Sequence, residues 1–130
     1  MLCWPEWISW KVKLLSEHLS ISNNQIDGRL IAAVSGRIDS STAALFEAEL
    51  NNLIVKAPSA LIIDLAYVKY MSSAGLRVLL MIAKRCKAEH RPMILCCMLP
   101  SIREVFDISG FSAIFDIADT TEDAVKKAQS

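Results

Sequence analysis

From His18 onward the apolar positions follow two alternating rhythms, a period of two and a period near 3.6, and their order predicts the elements. Residues 18–23 alternate, with Leu19 and Ile21 apolar, as an edge strand does. Asp27-Gly28 is a turn pair between strand-like runs and predicts a hairpin, whose second strand covers 29–35 with Leu30, Ile31 and Val34 apolar. Gly36 ends that strand. Asp39-Ser40-Ser41-Thr42 then offers four cap-competent side chains ahead of Ala43, Phe46, Leu50, Leu53 and Ile54, which recur at helical spacing. Glu47, Glu49 and Asn51 are expected to face water, and Pro58 to close the helix.

The continuous apolar run at 60–66 predicts a strand covered on both faces. After a loop, Ser72-Ser73-Ala74-Gly75 opens a helix with Leu76, Leu79, Leu80 and Ala83 on its buried stripe. Arg77 and the later Lys84, Arg85 and Lys87 are polar, three of them near the end where positive charge suits the macrodipole. Arg91-Pro92 breaks the helix, and 93–99 is the next interior strand. Pro100-Ser101 starts a short helix that Gly110 stops. Residues 113–118 form a last strand, and Thr120-Thr121-Glu122-Asp123 caps a last helix. Strands alternating with helices after one hairpin predict an α/β fold: a mixed, mainly parallel sheet of five strands with four helices.

Residues 1–17 stand apart as an N-terminal extension. Trp4, Trp7 and Trp10 all fall there, and Trp4, Trp7, Ile8, Leu14 and Leu15 share one face at helical spacing. One reading is an amphipathic helix docking on the domain, on a second copy or on a partner; the other is a poorly ordered terminal segment.

Composition narrows the function classes. The 130 residues carry 14 basic and 14 acidic side chains, so no net field draws the chain to nucleic acid or an anionic membrane. No stretch approaches the about 20 apolar residues of a membrane span. Glu6 and Lys11 interrupt any signal-peptide core, so a cytoplasmic protein is expected. Cys3, Cys86, Cys96 and Cys97 make no Cys-x-x-Cys pair, so no metal and no cofactor are expected. Cys96 and Cys97, adjacent in a predicted strand, should point to opposite faces as buried thiols. Phosphate loops, dinucleotide glycine patterns and nucleophile elbows are missing, and His18 and His90 have no dyad context. The chain therefore reads as a binding protein with no catalytic residues.

The remaining polar clusters lie at two strand-to-helix transitions, where open α/β sheets present ligand and partner sites. Ser73 sits at or beside a helix N-cap. A phosphate there adds about −1.5 to −2 charges, which a helix N-terminus tolerates but a docked neutral partner does not. Gly75 is expected to let a partner's backbone come close. Read from spacing alone, Ser72 and Ser73 are in the first place a plain helix cap.

Three stretches resemble the STAS domain, in particular the stand-alone anti-sigma-factor antagonists of bacterial partner-switching systems. They are Val34-Ser35-Gly36-Arg37-Ile38-Asp39 with Thr42-Ala43, then Leu61-Ile62-Ile63-Asp64-Leu65, and then Tyr70-Met71-Ser72-Ser73-Ala74-Gly75-Leu76-Arg77-Val78-Leu79-Leu80. Ile108-Ser109-Gly110-Phe111 resembles a later element of the family. The resemblance implies a STAS domain over residues 18–130. It implies Ser73 as phosphoacceptor, with Ser72 as the competing hydroxyl. Asp39, Ser40, Thr42, Ser72, Ser73, Ala74, Gly75 and Leu76 become the partner-binding set, and Asp64 a structural residue near the site. The implied partners are a kinase-type anti-sigma factor, which phosphorylates the chain, and a serine phosphatase, which resets it. The extension offers a route to a homodimer. Other readings are a non-switching scaffold of stressosome or lipid-transport type, and a small-molecule or nucleotide-binding domain.

Overall fold

A computed structural model of the chain describes residues 10–26, 28–56 and 59–129. Six strands form one sheet in sequence order: β1 (Lys11–Ser16), β2 (Leu19–Ile26), β3 (Arg29–Ile38), β4 (Ala60–Met71), β5 (Met93–Cys96) and β6 (Asp116–Ala118). The first three pair antiparallel, and β3 to β6 pair parallel. Four helices intervene or follow: α1 (Ala43–Lys56), α2 (Ser73–Ala88), α3 (Pro100–Ile108) and α4 (Thr121–Gln129). The expected α/β class, mainly parallel sheet and four helices are all present.

Period-two alternation sorts the strand side chains onto two faces. Leu30, Ala32 and Val34 of β3 and Leu61, Ile63 and Leu65 of β4 join Phe46, Leu50, Leu79, Ile82 and Phe106 in the main core, beneath α1, α2 and α3. Ile31, Ile62, Ile94 and Cys96 face the other way, and Ala124 of α4 closes that smaller cluster. Each large buried side chain contributes about 1.5–3 kcal/mol. No helix among the described residues is long and apolar enough to cross a membrane.

Several expectations are corrected. Residues 11–16 are a sixth strand, not the second half of a helix. Val12 and Leu14 stay exposed on this edge, while Leu15 packs against the main core, so Leu14 and Leu15 do not share one buried helical face. Trp4, Trp7 and Ile8 of that reading lie outside the described residues, as do Asp27 of the hairpin turn and Pro58. With β1 in place, β2 is an interior strand rather than an edge. Glu49 does not face water: it is buried, and Lys13 of β1 reaches its carboxylate at 3.1 Å. β3 runs past Gly36 to Ile38, because Gly36 takes φ +119° in a bulge. A Cβ at Gly36 would stand 2.0 Å from the His18 carbonyl oxygen, which the Arg37 N–H bonds at 2.8 Å. β4 continues to Met71, so strand and not loop leads into the serine pair. β5 stops at Cys96, and the last strand keeps only 116–118 after a 3-10 turn at Phe111–Ala113.

Candidate functional site

Parallel pairing of β3 with β4 brings the two polar corners together. The ladder ends with Ile38 opposite Met71, so Asp39 and Ser72 leave the sheet side by side. One further bond joins them, because the Ser72 N–H donates to the Ile38 carbonyl at 2.8 Å.

The first corner is organised by Asp39. Its Oδ1 accepts from the Ser41 hydroxyl at 2.6 Å, the Ser41 N–H at 2.9 Å and the Thr42 N–H at 3.2 Å. These N–H groups precede α1, and the Thr42 N–H also reaches the Asp39 backbone carbonyl at 3.1 Å. Thr42 is buried; its hydroxyl donates to the Arg37 carbonyl and accepts from the Asp39 N–H, each at 3.0 Å. The Ser41 hydroxyl is the main cause that holds the Asp39 carboxyl below the usual carboxylate range. Partial desolvation opposes it, and the two backbone N–H groups and the Arg37 guanidinium add to it. Arg37 Nε lies 3.6 Å from Asp39 Oδ2, and its guanidinium stacks 5.0 Å from the centre of the exposed Tyr70 ring.

At the second corner the two serines differ. Ser72 is the N-cap of α2 by backbone geometry, φ −87° and ψ 174°, yet its side chain makes no cap bond. Its Oγ is buried and unbonded. Ser73 is the first residue of the helix and is exposed. The first turn of α2 holds no acidic residue of its own. Arg77, four residues on, is exposed as well.

Gly75 does something other than expected. It is buried, and a Cβ there would meet Ile38 Cγ2 at 2.6 Å and Met71 Cγ at 3.0 Å. It seats α2 against the ends of β3 and β4 and leaves no backbone open to a partner. Leu76 is likewise buried in the core. Of the expected partner-binding set, Ser40 and Ser73 are exposed, while Asp39, Ser72 and Ala74 are half-buried. Thr42, Gly75 and Leu76 hold the corner from beneath. The expected set omitted Arg37, which reaches Asp39 and Tyr70, and the exposed Arg77 one turn beyond Ser73. Arg37 and Arg77 stand inside the quoted motifs, so their charge was the available signal.

Asp64 is not grouped with the serines. Six residues of β4 stand between it and Met71, on the order of 20 Å of extended chain. Its Oδ1 accepts from the Ala66 N–H at 2.9 Å, and its register partner is Cys96. Cys97 follows with φ +62°, a left-handed conformation that costs a non-glycine residue roughly 1–2 kcal/mol. This conformation overturns the expected opposite pointing of Cys96 and Cys97: both sulfurs and an Asp64 oxygen lie within 4.8 Å of one another.

The family model of the STAS domain matches residues 20–124. An anti-sigma factor antagonist of Bordetella bronchiseptica, BtrV, is 41% identical over 106 residues, 82% of this chain and 91% of that protein. The crystal structure of an anti-sigma factor antagonist from Mycobacterium paratuberculosis superposes with a TM-score of 0.79 at 26% identity, over 86% of this chain and 95% of that one. The Bacillus cell fate determinant SpoIIAA in its phosphorylated form shares the fold, with a TM-score of 0.58 at 19% identity over 92% and 98%. The chain therefore belongs to the STAS domain family, among the anti-sigma factor antagonists.

Proposed function

We propose that the chain is a phosphorylation-controlled anti-sigma factor antagonist. Unphosphorylated, it docks the corner around Ser40 and Ser73 on a kinase-type anti-sigma factor. The kinase transfers the γ-phosphoryl group of ATP to Ser73 Oγ, a base of the kinase takes the hydroxyl proton, and ADP leaves. A serine phosphatase hydrolyses the phosphoester and restores the binding form. The observation that carries this reading is the inequality of the two serines: Ser73 is exposed on the first turn of α2, whereas the Ser72 hydroxyl is buried.

Energetics agree with a switch of this kind. A phosphate at a helix N-terminus gains about 0.3–1 kcal/mol from the dipole. Arg77, at i+4, adds a few tenths more, on the order of 0.2–0.5 kcal/mol. The fold thus accommodates the charge. Forced into an interface without its partner group, the same charge costs about 2–5 kcal/mol, enough to separate a micromolar complex.

The test incubates the chain with its cognate anti-sigma kinase and ATP and maps phosphate by mass spectrometry. Phosphate on Ser73, abolished by Ser73→Ala and retained by Ser72→Ala, supports the proposal. Phosphate on Ser72 alone overturns the assignment. A second reading, self-assembly as a scaffold or homodimer, is favoured by the exposed Val12 and Leu14 on the edge strand β1. Removal of residues 1–16 then lowers the number of chains per particle in solution, and an unchanged number excludes that route.

A further inference from the structure

We propose that Asp64, Cys96 and Cys97 form a binding site for a soft divalent cation of the zinc type. The site is independent of the serine corner. It lies where β4 and β5 run side by side, with Asp64 opposite Cys96 in the ladder. Asp64 and Cys96 are buried and Cys97 is half-buried. Cys86, Cys96 and Cys97 form no disulfide.

Backbone conformation makes the triad. In a regular strand, consecutive residues point to opposite faces, which would leave Cys96 and Cys97 unable to share an ion. β5 ends at Cys96, and the left-handed φ of Cys97 turns the second thiol to the side of the first. The Cys97 N–H bonds the Ala118 carbonyl at 3.3 Å, which fastens that turn to β6. The Ala66 N–H, two residues further along the same strand, fixes one oxygen of Asp64. All three ligand atoms lie within 4.8 Å of one another. Around a tetrahedral zinc, ligand atoms at about 2.0–2.3 Å from the metal stand roughly 3.5–3.8 Å apart. Convergence by about an ångström therefore completes the geometry.

Donor chemistry sets the class of ion. Two thiolates disfavour magnesium and calcium, which take all-oxygen shells, and favour zinc and its soft neighbours. Each thiol gives its proton to solvent as its sulfur binds. Two thiolates and one carboxylate carry three negative charges, of which a divalent ion neutralises two. Three protein ligands leave a fourth position for water or an added ligand. The half-buried Cys97 gives the ion its way in, and Ala124 of α4 closes the apolar cluster that contains Cys96. A bound ion would tie β4 to the segment leading into α3.

The experiment uses the full chain, stripped with a chelator and kept under a phosphine reductant. Zinc is titrated in competition with a chromogenic chelator, and cobalt(II) serves as the spectroscopic probe. The expected result is one equivalent bound, with thiolate-to-cobalt charge-transfer absorption. Cys97→Ser and Asp64→Asn should each weaken binding at least tenfold; the second retains an oxygen for the Ala66 N–H and so tests the ligand rather than the fold. Cys86→Ser and Cys3→Ser should leave affinity unchanged. Absence of stoichiometric binding overturns the proposal. So does binding that survives both ligand variants, or binding that disappears with Cys3 or Cys86.

Discussion

Replacing Ser72 by alanine should stabilise the domain, against the ordinary rule for helix caps. At a typical N-cap, Ser→Ala loses about 1 kcal/mol because the hydroxyl bonds an orphan N–H of the first turn. Here the hydroxyl makes no such bond and its oxygen is shut away from water. A buried, unpaired hydroxyl carries a desolvation penalty of about 1–3 kcal/mol, which the substitution removes. The dispersion attraction between that one oxygen atom and its neighbours disappears with it and offsets part of the gain, leaving a net stabilisation of about 1 kcal/mol. With a urea slope of about 1.5 kcal/mol per molar, the midpoint should rise by about 0.6 M. The measurement is equilibrium urea unfolding followed by circular dichroism, at a pH where Asp39 is ionised in both proteins. A midpoint lowered by about 0.6 M or more would refute the reasoning, because it would mean that the hydroxyl caps α2 in solution.

Two other outcomes follow from the corner around Asp39. Gly36→Ala forces a Cβ to within 2.0 Å of the His18 carbonyl oxygen, at a φ unsuited to alanine. Strain of about 1–2 kcal/mol, together with the threatened Arg37–His18 bond, should lower stability by about 3 kcal/mol and the thermal midpoint by about 10 °C; a change under about 2 °C contradicts the bulge geometry. Asp39 has a folded-state pKa below its unfolded value, so its contribution is complete above the unfolded pKa and is lost as pH falls through the folded one. Asp39→Asn should accordingly flatten the loss of stability below about pH 4, seen in urea midpoints taken along an acid series; an acid limb as steep as in the unaltered chain goes against this assignment.

The alternation of strands and helices was legible because long periodic runs such as 43–54 and 73–88 have a core to face. So were the caps: Thr120 accepts the Asp123 N–H at 3.1 Å, and Gly110 takes φ +77° at the end of α3, as their residue types predict. β1 was hidden because an edge strand with Val12 and Leu14 exposed and only Leu15 packed against the core gives no period-two burial to read. Glu49 was misread for the same reason, since its burial depends on Lys13 arriving from that strand. The extension of β4 was masked by the bulge near Ala66, which shifts the register and leaves Tyr67, Lys69 and Tyr70 exposed around the buried Val68 and Met71. At the corner itself, motif spacing located the serines and Asp39 but not which serine faces solvent; that depends on the angle at which α2 leaves β4, set by Gly75 against Ile38. The Cys96–Cys97 convergence rests on one backbone torsion, and no residue type at that position announces it.

The bond from the Ser72 N–H to the Ile38 carbonyl has a wider consequence. It carries the β3–β4 ladder one step beyond the strands and delivers Ser73 on a backbone with no slack. A group added to or removed from Ser73 changes the outline and charge that a partner meets, while the framework beneath it stands still. Under the proposed function, the pace of switching would then be set by the arrival and departure of partners rather than by refolding of the corner.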